Sequence, residues 1–336
     1  MIALSGGGTG GHLAIIKALK NALNQKGIKP VYIGSSRGQD RTWFESEEGF
    51  SQKFFLNSQG VVDKKGLKKL SALTEILKSS STCRAIFKEK NIKSLISVGG
   101  YSAAPASFAT IGSRVNLYIH EQNAAIGKLN KILKPFAKEF FSSYTPDSKV
   151  RDYPVDISFF KNKKEINELG TIIFLGGSQG SKTINALAIN LAKELKKKNI
   201  HIIHQTGKNN FKAIEDFYKS NDIDADIFDF SPNLLEKISQ ADFAISRSGA
   251  STLWELCAQG IPTLFIPYPY AASDHQYYNA KTLSDKKLAL LKRENEIDAK
   301  SILNEIKKLN LRKISKKLKE EISPNGAMKI IESIIC

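Results

Sequence analysis

The 336-residue sequence has little cysteine: Cys83, Cys257 and Cys336 are its only three. They stand far apart without metal-ligand spacing, which argues against a disulfide framework and a zinc site and fits a reducing compartment. No run of about 18 apolar residues occurs, so no membrane-spanning helix is expected. The early apolar runs, Met1 to Leu4 and Leu13 to Leu19, are short and split by glycines. No signal peptide can be drawn from them, and the chain is expected to stay in the cytoplasm. Acidic side chains are the scarce charge: 33 Asp and Glu face 50 Lys and Arg, a formal net charge of +17. No RNA- or DNA-reading motif accompanies that basicity, so nucleic acid is not an expected partner.

What is present is a globular composition, 41% hydrophobic and 25% charged, long enough for two domains that each bury a core. The positive charge is uneven. Residues 1–152 hold 23 Lys and Arg against 11 Asp and Glu, or +12, whereas 153–336 hold 27 against 22, or +5.

The stretch around which the chain is organised is Gly6-Gly7-Gly8-Thr9-Gly10-Gly11-His12, between the run Met1 to Leu4 and an amphipathic segment carrying Leu13, Ile16 and Leu19. Glycines let the backbone turn tightly and present its N–H groups, and a following helix N-terminus adds a positive dipole end, so the loop suits a phosphate or a close-lying substrate. His12, in the first helical turn, is a candidate general base with an ordinary pKa of about 6.5.

Short apolar strands (Val31 to Ile33, Lys53 to Leu56, Ser94 to Val98, Leu117 to Ile119, Glu139 to Ser142) alternate with helical stretches, the pattern of a parallel sheet with ligands at its carboxyl edge. That edge would gather the first glycine loop, Gly99-Gly100-Tyr101-Ser102 and His120-Glu121-Gln122-Asn123. Between them, Leu67, Leu70, Leu73, Ile76, Leu77, Cys83, Ile86 and Phe87 recur at helical spacing, and residues 64–93 hold nine basic residues against two acidic ones. An apolar stripe beside lysines suits an anionic lipid surface. Tyr153-Pro154 and the polar run Lys161 to Glu168 read as a linker.

The alternation then restarts. Strand Thr171 to Leu175 runs into Gly176-Gly177-Ser178-Gln179-Gly180-Ser181 and a helix from about Thr183 to Lys198, a second loop suited to phosphate. Strands follow at Ile200 to Gln205, Ala225 to Phe230, Asp242 to Ser246 and Ile261 to Pro267. Ser248 and Gly249 precede a further helix, and Glu255 comes one to two turns later, where a carboxylate can accept both hydroxyls of a ribose. Asp274 to Asn279 forms a polar cluster suited to sugar hydroxyls. Beyond Leu283 the chain reads as lysine-rich and helical, with a last helix from about Ala327 to Ile335 after Pro324-Asn325-Gly326. Three segments are expected: 1–152, 153–320, and a C-terminal helix in 321–336 that packs back on the first.

Two Rossmann-like halves with nucleotide-type residues in the second describe an α/β fold of GT-B type, two parallel-sheet domains facing a central cleft. Gly7 to His12, Gly99 to Tyr101, His120 to Ala124, Gly176 to Gly180, Arg247 to Ala250 with Glu255, and Asp274 to Gln276 with Asn279-Ala280 closely resemble the MurG family, in the same order and over essentially the whole chain. The resemblance implies inverting, metal-independent transfer of N-acetylglucosamine (GlcNAc) from UDP-GlcNAc to the 4-hydroxyl of the muramoyl sugar (MurNAc) of lipid I, giving lipid II for peptidoglycan. It implies no cofactor, and a peripheral place on the cytoplasmic face of the bacterial inner membrane. Its expected partners are UDP-GlcNAc, lipid I, an anionic membrane surface and other cell-wall synthesis proteins.

Carried over by motif, His12 would line the acceptor side, where its chemistry makes it the expected catalytic base. Ser178 and the Ser248-Gly249-Ala250 amides would face the donor diphosphate and Glu255 the ribose, with Gln179, Gly180, Arg247, Ser251, Thr252, Leu253 and Trp254 completing the donor-binding set. Main chain at Phe230-Ser231 would meet uracil, and His275, Gln276 and Asn123 the GlcNAc hydroxyls. Gly8, Tyr101, Glu121 and Gln122 would form or support the acceptor side. Thr9, Gly10 and Gly11 line that side and also count with the donor-binding set. One departure stands out: where the family has Asn-Pro-Val-Arg at the domain junction, this chain reads Tyr153-Pro154-Val155-Asp156. A carboxylate cannot pair an anion as arginine does, so Arg151, Arg247 or helix dipoles must supply that charge. Intact Glu255, Gln276 and His12 speak against a basic surface-binding scaffold with a decayed nucleotide site, whereas the donor residues alone would also suit another GT-B transferase, such as a lipid galactosyltransferase, or a UDP-GlcNAc epimerase. The strings before His12 and at 120–123 separate these readings.

Overall fold

The structure is a computed structural model that describes residues 1–58, 60, 66–161, 165–177, 179–231 and 233–335, without the side chains of 66–70 and 73. Ser178, Lys64 and Lys65 lie outside the described residues. The chain forms two compact units, Met1–Asp156 with Asn325–Cys336, and Ile157–Pro324.

The first unit is built on strands β1 (Ile2–Ser5), β2 (Val31–Ser35), β3 (Gln52–Leu56), β4 (Ser94–Ser97), β5 (Asn116–Glu121) and β6 (Ala137–Ser142). They pair in the order β3-β2-β1-β4-β5-β6, every pair parallel. The second holds β7 (Thr171–Leu175), β8 (His201–Gln205), β9 (Ala225–Phe228), β10 (Phe243–Ser246), β11 (Thr263–Phe265) and β12 (Ala289–Leu291), ordered β12-β11-β10-β7-β8-β9 and again parallel. Counted within each unit both orders are 3-2-1-4-5-6, the doubly wound fold whose chain direction reverses between its first and fourth strands. That switch point falls between β1 and β4 in one unit and between β7 and β10 in the other.

The central strands are buried apart from the half-buried first residues Ser94 and Thr171, as expected of parallel sheets covered on both faces. Ala3, Val31, Ile33, Leu95, Leu117 and Ile119 from the first sheet pack against Cys83, Ile86, Phe87, Ala106 and Ala109 from covering helices. The helix Gly66–Glu89 buries Ala72, Ile76, Cys83, Ile86 and Phe87, but Leu77 leaves the expected stripe and is 68% exposed. Helix periodicity explains this: 72, 76, 79, 83 and 86 share a face that Leu77, one step past Ile76, misses by about 100°.

The segment beyond Leu283, expected to be helical, contains β12. Ala289-Leu290-Leu291 pairs with Thr263-Leu264-Phe265 as a sheet edge. Lysines flank this three-residue strand at Lys286, Lys287 and Lys292; short charged edge strands discourage further pairing, and they also hide the strand signal. The last helix, Gly326–Ile335, belongs to the first unit, where it packs on helix Gly10–Gln25 and pairs Glu332 with Lys26 at 2.7 Å. Gly326 permits this return, since a Cβ there would lie 2.5 Å from the Tyr153 carbonyl oxygen.

Candidate active site

In the first unit the loops after β1 and β4 meet. Gly100 approaches the glycine loop so closely that a Cβ would lie 2.5 Å from Gly7 O and 3.3 Å from His12 Cε1. Gly8 has φ +84° and faces the Tyr101 ring, 2.4 Å from where its Cβ would stand. Only glycine fits both positions. Helix Gly10–Gln25 starts at Thr9, whose side chain makes no capping bond. The Thr9 hydroxyl instead lies 3.0 Å from His12 Nδ1. On the other side of the ring, the Gln122 amide Nε2 is 2.9 Å from His12 Nε2. An amide N–H can only donate, so these contacts assign the imidazole proton to Nδ1, which donates to Thr9, and leave the Nε2 lone pair accepting from Gln122.

Glu121 is 2% exposed and turned toward its own loop. Its carboxylate accepts from Asn123 N at 2.9 Å, Gly127 N at 2.9 Å and Asn130 Nδ2 at 2.8 Å, which fixes the turn presenting Gln122 and Asn123. His120 is buried beside it with Nδ1 unpartnered among the described residues. Sequence reasoning missed Asp40, a fully buried carboxylate that accepts from Gly8 N at 2.6 Å. The available signal was one acidic residue five positions past the end of β2.

In the second unit the loops after β7 and β10 carry the corresponding groups. Gly180 lies on Thr206-Gly207 with a virtual Cβ 2.5 Å from Thr206 O. Gln179 is exposed, and Ser181 caps helix Lys182–Lys197 by accepting from Ile184 N at 3.2 Å. Asn185 on that helix donates to Thr206 O at 3.0 Å and meets His204 Nε2 at 3.1 Å through its side-chain oxygen; His204 Nδ1 meets the Tyr218 hydroxyl at 3.0 Å. A buried neutral histidine thus holds the turn beneath the second glycine loop. After β10, helix Ala250–Gln259 begins at Gly249 with no side-chain cap, and the buried Ser248 hydroxyl has no hydrogen-bond partner among the described residues. Ser251, Leu253, Trp254 and Glu255 are buried, with Thr252 partly so.

Arg247 is drawn into the fold. Its guanidinium donates to Ile266 O and Pro267 O at 3.0 Å each and pairs with Glu294, whose carboxylate also accepts from Thr183 Oγ1 at 2.7 Å. It ties the ends of β10 and β11 to the start of a helix. Asp156 accepts from Asn21 Nδ2 at 2.7 Å, and Arg151 is exposed. His275 directs Nδ1 to Ala272 O at 2.8 Å, Gln276 Oε1 accepts from Tyr268 N at 3.0 Å, and Ser231 Oγ accepts from Asn233 N at 3.2 Å. Among the described residues, no group of three or more His, Cys, Asp or Glu side chains is placed to hold a metal ion.

Burial pushes both His204 and His120 down to about 3, with His12 adding to the effect on His120. An unfolded histidine titrates near 6.5, so the unfolded chain binds these protons first as pH falls. Stability is therefore full above pH 6.5 and is lost between 6.5 and 3, at about 1.4 kcal/mol per pH unit for each residue. Calorimetric scans from pH 7 to 4 should show the melting temperature of the second unit falling less steeply in His204→Gln than in the wild type. Parallel slopes would contradict the assignment.

Two doubly wound units with glycine loops at their switch points are the GT-B architecture of glycosyltransferases. The glycosyltransferase family 28 N-terminal domain matches residues 2–142 and its C-terminal domain residues 171–334, and the chain belongs to that family. It is 53% identical, over 335 residues covering 100% of this chain and 99% of the other, to the UDP-N-acetylglucosamine--N-acetylmuramyl-(pentapeptide) pyrophosphoryl-undecaprenol N-acetylglucosamine transferase of Campylobacter fetus. The protein of that name from Nitratiruptor is 49% identical over 99% of this chain and 98% of its own. The crystal structure of Acinetobacter baumannii MurG superposes with a TM-score of 0.78 at 24% identity, covering 99% of this chain and 98% of that one.

Proposed function

We propose that the chain transfers GlcNAc from UDP-GlcNAc to the 4-hydroxyl of undecaprenyl-diphosphate-linked MurNAc-pentapeptide, with inversion and without a catalytic metal. Full-length identity of 53% to a transferase of that name carries the substrate assignment. The His12 arrangement supports the chemistry. The acceptor hydroxyl takes Gln122's place at His12 Nε2 and gives up its proton there as its oxygen bonds to the anomeric carbon. The bond from that carbon to the diphosphate oxygen breaks, and UDP leaves. The resulting imidazolium keeps its Nδ1–H on Thr9.

In the second unit the uncapped N-terminus of helix Ala250–Gln259 and the Ser248 hydroxyl serve the diphosphate, fixed dipoles standing in for a cation. This fits the engagement of Arg247 within the fold. Glu255 serves the ribose, main chain at Ser231 the uracil, and His275, Gln276 and Asn123 the sugar hydroxyls. Gly8, Tyr101 and Glu121 shape the acceptor side by holding its loops. Titration calorimetry should detect UDP and UDP-GlcNAc binding without added metal, and UDP-GlcNAc incubated alone should stay intact. An epimerised sugar would instead favour the epimerase reading.

A lipid-linked acceptor requires docking on the cytoplasmic face of the inner membrane. No described helix is long and apolar enough to cross one. In the first unit Ile132 and Phe136 are 58% and 55% exposed, among the exposed Lys128, Lys131, Lys134 and Lys138. Each lysine near an anionic surface contributes about 1 kcal/mol. The chain should sediment with anionic vesicles but not zwitterionic ones, and high salt should release it because it screens exposed charge. Replacing Lys131, Lys134 and Lys138 with glutamate should abolish sedimentation and spare transfer to a water-soluble acceptor. Equal loss on both acceptors would refute the docking role.

A further inference from the structure

Asp40 opens the short helix Asp40–Phe44 with its side chain fully buried. Burying a carboxylate is tolerated only where donors replace its water, and here those donors come from the glycine loop and the end of β2. Oδ2 accepts from Gly8 N at 2.6 Å, and Oδ1 accepts from Ser35 N at 2.8 Å. The Tyr32 hydroxyl lies between Oδ1, at 3.0 Å, and Gly6 O, at 2.9 Å. The loop rests directly on the carboxylate, since a Cβ on Gly7 would come within 2.4 Å of Oδ1. On its other face Gly8 meets the Tyr101 ring, whose hydroxyl donates to Arg37 O at 3.2 Å.

The helix that carries His12 has no side-chain cap of its own at Thr9. The Thr9 hydroxyl accepts from His12 Nδ1, and the Gly8 N–H, one residue earlier, donates to Asp40. We infer that Asp40 is a positioning residue for the transfer reaction: by holding Gly8 N–H it sets Thr9, and through Thr9 the tautomer and direction of the His12 ring. This rests on His12 being the base. Misplacing a reacting group by about 1 Å can slow a reaction about 10²-fold, so the loop need not unfold for the tie to matter.

Asp40→Asn is nearly isosteric. With Oδ1 kept on Ser35 and Tyr32, its amide nitrogen replaces Oδ2 and faces Gly8 N–H, donor against donor. It should lower kcat about 10²-fold while leaving the KM for UDP-GlcNAc and the Kd for UDP unchanged. Thr9→Val, at an exposed position, breaks the next link and should lower kcat to a similar extent should Asp40→Asn not fold. Tyr32→Phe removes one donor to Oδ1 but spares Gly8; it should lower the melting temperature and retain kcat. A wild-type kcat in folded Asp40→Asn or in Thr9→Val overturns the inference, as does a Tyr32→Phe whose kcat falls equally. His12→Ala assayed alongside separates the two levels. If it keeps its turnover the base reading fails; if it is impaired while Asp40→Asn and Thr9→Val are normal, the positioning role alone falls.

Discussion

His12→Ala is expected to lower turnover by about 10²–10⁴-fold, the range over which a positioned general base contributes, with UDP affinity unchanged. The ring is held from both sides, by Thr9 at Nδ1 and by the Gln122 amide at Nε2. Alanine removes the proton acceptor and leaves the glycine turns, which Asp40 and Tyr101 hold by contacts that do not involve the imidazole. The loss should therefore appear in kcat with saturating acceptor. Gln122→Ala should behave differently, because it removes the group that occupies Nε2 in the free protein and leaves the base. Near-normal turnover in folded His12→Ala would place the base elsewhere.

Glu255→Ala is expected to weaken UDP and UDP-GlcNAc binding alike by about 1.5–3 kcal/mol, the contribution of a hydrogen bond to a charged group, or roughly 10- to 160-fold in Kd. Equal effects on the two ligands follow from an assignment to the ribose, which both contain. Glu255 is 9% exposed, on the helix whose N-terminus faces the proposed diphosphate position. Titration calorimetry on a variant with a wild-type melting profile checks this. Unchanged UDP affinity would remove Glu255 from the donor site, and a loss confined to UDP-GlcNAc would move it to the sugar.

The fold was legible wherever a signal was local. Buried parallel strands read as unbroken apolar runs, and glycine strings mark the tight turns after β1 and β7. β12 was not legible, because three small and aliphatic residues between lysines become a strand only when the edge of β11 is there to pair with. Leu77 looked like a stripe residue because spacing alone does not say which neighbouring position the core reaches. Side-chain direction was the less legible part of the site. Glu121 turns inward on Asn123, Gly127 and Asn130, residues two to nine positions away that only a closed loop brings together. Arg247 is engaged by Glu294, 47 residues on, and Asp40 by Gly8, 32 residues back. Neither pairing leaves a periodic trace in the sequence.

The most direct test is product analysis after incubation with UDP-GlcNAc and a lipid I analogue, with and without EDTA. The account predicts one UDP released per GlcNAc joined to the muramoyl 4-hydroxyl, with inverted anomeric configuration and at the same rate in EDTA. A retained configuration, a different acceptor hydroxyl, loss of the reaction in EDTA, or sugar nucleotide consumed without disaccharide would contradict it.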